Sequence, residues 1–552
     1  MPANSRGGRV AQAPGPRLDA LDGQSFDVAI IGAGVNGCAT AQRLASAGYS
    51  VLLVDKGDFC SGASSRSSRM LSCGIIYLAP NTSLWNYLRD VRALGGNLAS
   101  AREAMAARSD FLATVPERIR RVPFAVPIYR SDNFRPWQVR LAFRLLRWLG
   151  PGDVPLDFRF VRPGAPADMP LLGAVRQSED LLGFCVFREH HYDWPERIAL
   201  DMVADAERLG AVARNYAMVT GLQQGNDQRW SLTVRDADAP HVTARVTASI
   251  VCNLAGAWID TVNTLAEPRA ARTVYGTKGI HIAVRLPERF RMQGVCGFDR
   301  SGHRRLYCFP WRDFHFFGPT ETPYEGDPSQ ARPEEDELLH LLDEVNHLFP
   351  GLGPLRREDI LYSWAGVRPL TYDPATGAGA RGRTIHDLAA KGLPNVFAMT
   401  SGLLKTQRIA GAELCALVAQ RLQPSRPPRP FSLRGEHLPV DPQSPPLVAH
   451  WPVAREADLL RAAGDGHVRH LYDLFTRVGL IWTETMGAEA AQSAAELVAP
   501  VLGWDEARVS EEVERFAATL ARDHGVASRR SNRRPANRGD PGLREHPPLP
   551  AG

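Results

Sequence analysis

The first clear pattern in the chain is an apolar run, Phe26-Asp-Val-Ala-Ile-Ile31, followed by a glycine-rich turn and by helical periodicity from Asn36 to Ala47. A second apolar run, Val51-Leu-Leu-Val54, ends at Asp55, so the opening reads strand, turn, helix, strand. Between about residues 60 and 250, helical segments (Leu84 to Thr114, Trp194 to Leu209) alternate with strand-like ones (Trp230 to Val234, Ala244 to Cys252). The middle is therefore expected to be mixed α/β. Residues 273 to 370 add short strand candidates, including Gly279 to Val284 and Tyr307 to Phe309, separated by turn residues. The pattern breaks at Gln423 to Leu447, where eight prolines exclude a continuous helix or strand. Beyond it, Ala454 to His524 regains helical periodicity with almost no proline. The chain thus divides into a flexible leader (1–24), a core (25–422), a proline-rich linker (423–447), a helical unit (448–525) and a disordered basic tail (526–552).

Composition narrows the class. With 552 residues, 44% of them hydrophobic, the chain can bury a large core. The formal net charge is +5, but the tail carries six Arg against Asp540 and Glu545 and accounts for four of those charges. The folded part is close to neutral and has no basic face of the kind that reads nucleic acid. Eight cysteines (38, 60, 73, 185, 252, 296, 308 and 415) are scattered without C-x-x-C or metal-like spacing, so no metal site is expected and reduced thiols in the cytoplasm are. The segment Met1 to Gln24 lacks an apolar h-region, and no run approaches the roughly 18 apolar residues of a spanning helix. Contact with a membrane would be from one side.

The chemistry begins at the glycine turn. Gly32-Ala-Gly34-Val-Asn-Gly37 follows a strand and opens a helix, so its glycines permit a tight turn and the approach of a pyrophosphate to the helix N-terminus. Asp55 lies 21 residues after Gly34, at the end of the second strand, where a carboxylate can accept from an adenosine ribose. These are the parts of a Rossmann-type dinucleotide unit. The competing readings are a chance glycine turn and a nicotinamide dinucleotide. Ser61-Gly-Ala-Ser-Ser-Arg-Ser-Ser68 favours FAD, because five hydroxyls and a guanidinium can wrap phosphate and ribityl oxygens; alone, it could equally be a solvated loop.

Several ordered motifs extend this reading. They are Ile30-Ile-Gly-Ala-Gly-Val-Asn-Gly37; Ser64-Ser-Arg-Ser-Ser68 with Tyr77-Leu78; Asn253-Leu-Ala-Gly-Ala-Trp258; Lys278-Gly-Ile-His281; Phe309-Pro-Trp311; Gly318-Pro-Thr-Glu with Asp327; and Gly366-Val-Arg-Pro-Leu370. Ser401-Gly-Leu-Leu-Lys-Thr-Gln-Arg408 and Leu502 to Glu512 agree with them. Over residues 25 to 520 the chain resembles the FAD-dependent glycerol-3-phosphate dehydrogenases of the D-amino-acid-oxidase-like superfamily. The resemblance implies an α/β (α+β) fold: a Rossmann-type FAD-binding domain interleaved with a mixed-sheet substrate domain, plus a C-terminal all-helical cap. It implies FAD contacts at Gly32, Ala33, Gly34, Val35, Asn36, Gly37, Asp55, Lys56, Ser64, Ser65, Ser67, Ser68, Val219, Ala255, Gly256, Gly402, Leu403, Leu404, Lys405 and Thr406.

It also implies hydride transfer from a secondary alcohol carbon to flavin N5. His281 is the candidate base, since imidazole titrates near working pH; otherwise it is a packed strand histidine. Arg368 would fork onto an anionic substrate, or else support its turn through a buried ion pair. Lys405 and Thr406 would sit near the flavin pyrimidine or simply begin a helix, and Tyr77, Ile76 and Lys405 would border the substrate.

The sequence departs from the family at that border. Where the family has His-Gly-Gly-Leu-Arg-Tyr, this chain has Ser72-Cys-Gly-Ile-Ile-Tyr77, so Ile76 replaces an arginine that grips phosphate and Ser72 replaces the histidine. Losing one partner of a charge-assisted contact costs on the order of 1.5–3 kcal/mol. Leu403 takes the place of the family's lysine, with Lys405 two residues later, and Gly-Pro-Thr-Glu replaces Gly-Thr-Thr-Asp. Substrate identity is thus open between glycerol 3-phosphate, another alcohol or amine of a flavin oxidase, and no substrate at all if FAD is structural. The electron acceptor is open between quinone and oxygen, and the assembly between monomer and homodimer. Residues Arg135 to Leu149 form a basic amphipathic helix candidate, with Arg140, Arg144 and Arg147 among Trp and Leu. It can lie in an anionic lipid interface, as the family's inner-face members do, or be an internal helix with a charged outer face.

Overall fold

The computed structural model describes residues 18–78, 91–152, 154–165, 168–302, 304–433, 435, 439–449, 454–465 and 467–526. Most of the predicted leader, the tail from residue 527 and the start of the helix predicted from Leu84 lie outside the described residues. The remaining predicted elements are present, and they build two sheets.

The first sheet has the strand order 384–387, 396–400, 243–253, 25–31, 51–54, 212–214, and a hairpin of 217–224 and 230–236 pairs antiparallel with the first half of 243–253. Strand Ser25–Ile31 is at the centre, parallel to Val51–Val54 on one side and to Thr243–Asn253 on the other. Being covered on both faces explains why its sequence is a continuous apolar run instead of an alternation. Helix Val35–Ser46 covers one face and crosses helix Gln407–Ala419 closely: a Cβ at Gly411 would lie 2.9 Å from the Ala39 backbone. The proline-rich stretch lies along this unit. Arg426 and Arg429 donate backbone N–H to the carbonyls of Gly48 and Ser46, and the Arg43 guanidinium stacks 4.2 Å from the Phe431 ring.

Among the described residues the second sheet has ten strands; Val274–Val284 and Ile360–Asp373 form one of its two long ladders, in register from Val274↔Thr371 to Ala283↔Tyr362 and shifted at Val284↔Ile360. Among the described residues four C-terminal helices (Glu456–Gly464, Leu471–Val478, Ala491–Leu502, Glu506–His524) pack on one another, and the last of them lies against strand Ile360–Asp373. Cap and sheet share one hydrophobic core, in which Trp482 meets Trp311 and Trp364 at centroid distances of 5.5 and 5.6 Å. Helix Pro136–Leu149 buries Val139, Ala142, Phe143 and Leu146, and leaves Trp137, Leu141 and Trp148 at 58%, 56% and 79% exposure. Among the described residues no helix is long and apolar enough to cross a membrane.

Candidate active site

A cavity of about 910 Å³ opens between the two sheets. Its dinucleotide end is built from contiguous sequence. Gly32 has φ +105°, and a Cβ there would be 2.5 Å from the Leu254 carbonyl; a Cβ on Gly37 would be 1.9 Å from the Gly32 carbonyl. Only glycine allows the turn to close this tightly against the helix. The helix N-terminus lines the cavity at Gly34, Val35 and Asn36, and Ser64 Oγ accepts from Val35 N–H at 3.1 Å. Asp55 Oδ2 accepts from Ala33 N–H at 2.7 Å and Oδ1 from Gly57 N–H at 3.0 Å, which orients its carboxylate at the strand tip. Burial pushes its pKa up to about 6. Lys56 Nζ sits 3.9 Å from the centroid of the Trp258 ring. These groups fit a dinucleotide: amides for a pyrophosphate, a carboxylate for ribose hydroxyls, and an aromatic and a cation at the wall.

At the far end the paired strands bring separate motifs together. Gly279 and Gly366 face each other in the ladder, and the Arg368 guanidinium lies across Gly279, where a Cβ would be 2.4 Å from Nη2. Arg368 Nη1 is buried with no hydrogen-bond partner, and burial lowers the guanidinium pKa. His281 lies opposite Trp364 in the same ladder and stacks on it, with centroids 4.8 Å apart and planes 9° from parallel. Its Nε2 is 3.0 Å from Ser68 Oγ. Burial, then the positive charges of Arg368 and Arg69, hold His281 well below the usual histidine range, so the ring is neutral.

Of the residues singled out in the sequence, Gly32, Gly34, Val35, Asn36, Asp55, Lys56, Ser64, Ser67, Ser68, Val219, Ala255, Gly256, His281, Arg368, Gly402, Leu403 and Leu404 line this cavity. Ala33, Gly37 and Ser65 support its wall through backbone contacts. Ile76, Tyr77, Lys405 and Thr406 stand behind the lining. The Lys405 ammonium donates to Ser72 Oγ at 2.8 Å and lies 5.1 Å from the Tyr77 ring, and burial lowers its pKa to about 8. Met218, Thr220 and Arg235 at the dinucleotide end, and Arg381, Arg522 and Asp523 elsewhere on the lining, have no signal in the sequence. Arg66, the guanidinium of the serine loop, lines the cavity with Ser64, Ser67 and Ser68. The others come from strands, a helix and, for Arg381, the connection between two strands, whose local sequence marks no site.

Residues 27–407 match the model of the FAD dependent oxidoreductase family. A glycerol-3-phosphate dehydrogenase of Synechocystis is 28% identical, covering 74% of this chain and 73% of the relative. Glycerol-3-phosphate dehydrogenase 2 of Mycobacterium bovis is 28% identical over 91% of this chain and 89% of its own. The fold is similar to that of the Bacillus halodurans glycerol-3-phosphate dehydrogenase complexed with FAD, with a TM-score of 0.65 and 18% identity over 92% of this chain and 96% of that one.

Proposed function

The chain belongs to the FAD dependent oxidoreductase family, and from that premise we propose that it oxidises a secondary alcohol bearing an anionic group, with glycerol 3-phosphate as the first candidate. The observation that carries this reading is Arg368, a half-buried side chain whose Nη1 is itself buried and has no protein partner, in the cavity that also holds neutral His281. A cation with a buried, open donor is stabilised by an anion, and the planar fork suits a phosphate or carboxylate.

The bound FAD supplies the two-electron acceptor for the hydride of the carbinol carbon. The chain supplies the rest. Ser68 Oγ can donate to His281 Nε2, which leaves the ring hydrogen on Nδ1 and makes Nε2 the proton acceptor. The substrate hydroxyl then takes the place of Ser68 and gives its proton to Nε2 as the carbonyl forms. Trp364, stacked on the imidazole, fixes the plane of the ring. Lys405 brings a positive charge to the Ser72–Tyr77 segment, where Ile76 has none. The names of the Synechocystis and Mycobacterium relatives favour the phosphorylated substrate.

The test is anaerobic mixing of the purified holoprotein with glycerol 3-phosphate while the oxidised flavin band is recorded. Bleaching is expected. No bleaching at millimolar substrate rejects this substrate, and peroxide released aerobically with another alcohol or an amine would make the protein a flavin oxidase. Ile76→Arg restores a cation and should tighten glycerol 3-phosphate by roughly tenfold.

We also propose that the electrons leave to a quinone at an anionic membrane surface. Trp137, Leu141 and Trp148 lie exposed on one face of the Pro136–Leu149 helix, with Arg140, Arg144 and Arg147 on the same helix. Interfacial helices combine these features, with the aromatics at headgroup depth and the arginines on anionic lipid. Co-sedimentation with vesicles containing phosphatidylglycerol should fall sharply in Trp137→Ser/Trp148→Ser. Equal binding by both forms would reject the helix as the contact.

A further inference from the structure

We propose that the C-terminal helical cap is a clamp on the cofactor, so that docking of the cap and binding of FAD are thermodynamically linked. The clamp has two jaws, one at each end of the cavity.

At the dinucleotide end the jaw is Arg477, on helix Leu471–Val478. Its Nη1 and Nη2 donate to the two carboxylate oxygens of Asp58, both at 2.6 Å, across 419 positions of sequence. Both side chains are 7% exposed. Asp58 does not line the cavity, but Asp55, Lys56 and Gly57 before it and Ser61 and Gly62 after it do. The turn between them is held at its other side by Cys60, whose N–H donates to the Ala33 carbonyl at 2.9 Å and whose φ is +64°. A non-glycine residue in that region persists only where its surroundings enforce it.

The facing wall is tied to the same cap helix. Tyr216 Oη donates to Asp473 Oδ1 at 2.7 Å, Tyr216 N–H to the Gly57 carbonyl, and Ala217 N–H to the Asp55 carbonyl. Ala217 through Thr220 line the cavity. One helix of the cap therefore fixes both the turn that carries Asp55 and the strand opposite it.

At the substrate end the jaw is the last turn of helix Glu506–His524. Arg522 and Asp523 line the cavity themselves. Asp523 lies 4.0 Å from Arg66, in the middle of the serine loop. The next residue, His524, bonds through Nδ1 to the Ser363 carbonyl at 3.0 Å, on the strand that carries Trp364 and Arg368.

Breaking one partner of a buried ion pair leaves an uncompensated charge, and the loop around Asp58 would have to rearrange to hydrate it. The loop that moves is the one that faces the cofactor. Coupling of this kind is reciprocal: if the docked cap raises FAD affinity, FAD must stabilise the docked cap by the same factor.

The experiment uses the full chain, stripped of FAD and titrated with it. Arg477→Met should raise the FAD dissociation constant by roughly tenfold or more. Arg477→Lys, which keeps the charge and loses the fork, should raise it less. Glu484→Gln breaks the exposed cap contact with Arg285, which is remote from the cofactor loop, and should leave it within about twofold. In the unmodified chain, FAD should slow amide hydrogen exchange along Leu471–Val478. Dissociation constants for Arg477→Met and Arg477→Lys within about twofold of the unmodified chain would overturn the proposal, even if both variants melt earlier. Exchange in the cap indifferent to FAD would overturn it as well. If Arg477→Met fails to fold, the same titration on Arg477→Lys and Asp523→Asn decides.

Discussion

The two ends of the cavity are built in opposite ways. The dinucleotide end comes mainly from one stretch, Ile31 to Ser68, in which each glycine, carboxylate and hydroxyl is placed by its own turn. The substrate end is assembled from Ser68, His281, Arg368, Arg381 and the close of the last helix, which are hundreds of residues apart. The first end is fixed by steric necessity at the backbone. The second is fixed by register between strands and by the docking of the cap, so single residues there can change without loss of the fold. The substitution at Leu403 falls on the lining and that at Ile76 outside it, while the glycine cradle is intact.

Four experiments bear on that contrast. The largest effect belongs to Gly37→Ala: with a Cβ 1.9 Å from the Gly32 carbonyl, the strand–helix turn cannot close, and the protein should purify without flavin absorbance. Flavin retained at full occupancy would contradict a sterically fixed cradle. His281→Asn removes the proton acceptor without changing the fold, and kcat should fall by about 10²–10⁴-fold with the flavin still bound. Arg368→Met should raise KM by up to about a hundredfold for an anionic substrate and much less for its uncharged analogue. An equal loss for both would show that Arg368 only supports the strand.

The smallest expected effect is on stability against pH, and it separates two histidines of the cap. Burial, then Arg66, lowers His524 to about 4. Its folded pKa is below its unfolded value, so its contribution is present above about pH 6.5 and is lost as the pH falls toward 4. His470 is the reverse. Burial opposes its charge, but hydrogen bonds to Asp238 and Glu512 prevail and raise it to about 9. Its contribution is full below about pH 6.5 and is lost as the pH rises through 9. Thermal melts should therefore weaken on both sides of neutrality, and His470→Gln should flatten the alkaline side alone.

Much of the fold could be read in advance because its strongest signals are local. An apolar run covered on both faces, a glycine turn and a carboxylate at the next strand end appear in consecutive residues, so Gly32, Gly34 and Asp55 need no tertiary information to be found. His281 and Arg368 stood out through short motifs on two strands, and the ladder that pairs Gly279 with Gly366 brings both to the cavity. Lys405 shows the limit. Its place two residues after Leu403 suggested a position at the flavin, whereas the turn into helix Gln407–Ala419 directs its ammonium to Ser72 and Tyr77. Arg522 and Asp523 carried no local signal, because a charged pair at the end of an amphipathic helix usually faces solvent.

What the sequence alone determined is the cofactor cradle, since a backbone that must pass within a few ångströms of another carbonyl tolerates only glycine, whatever surrounds it. What only the tertiary structure decided is which cations face the far end of the cavity and that the cap reaches the loop around Asp58. Those contacts join residues such as Asp58 and Arg477, 419 positions apart, and no local pattern encodes where two distant side chains meet.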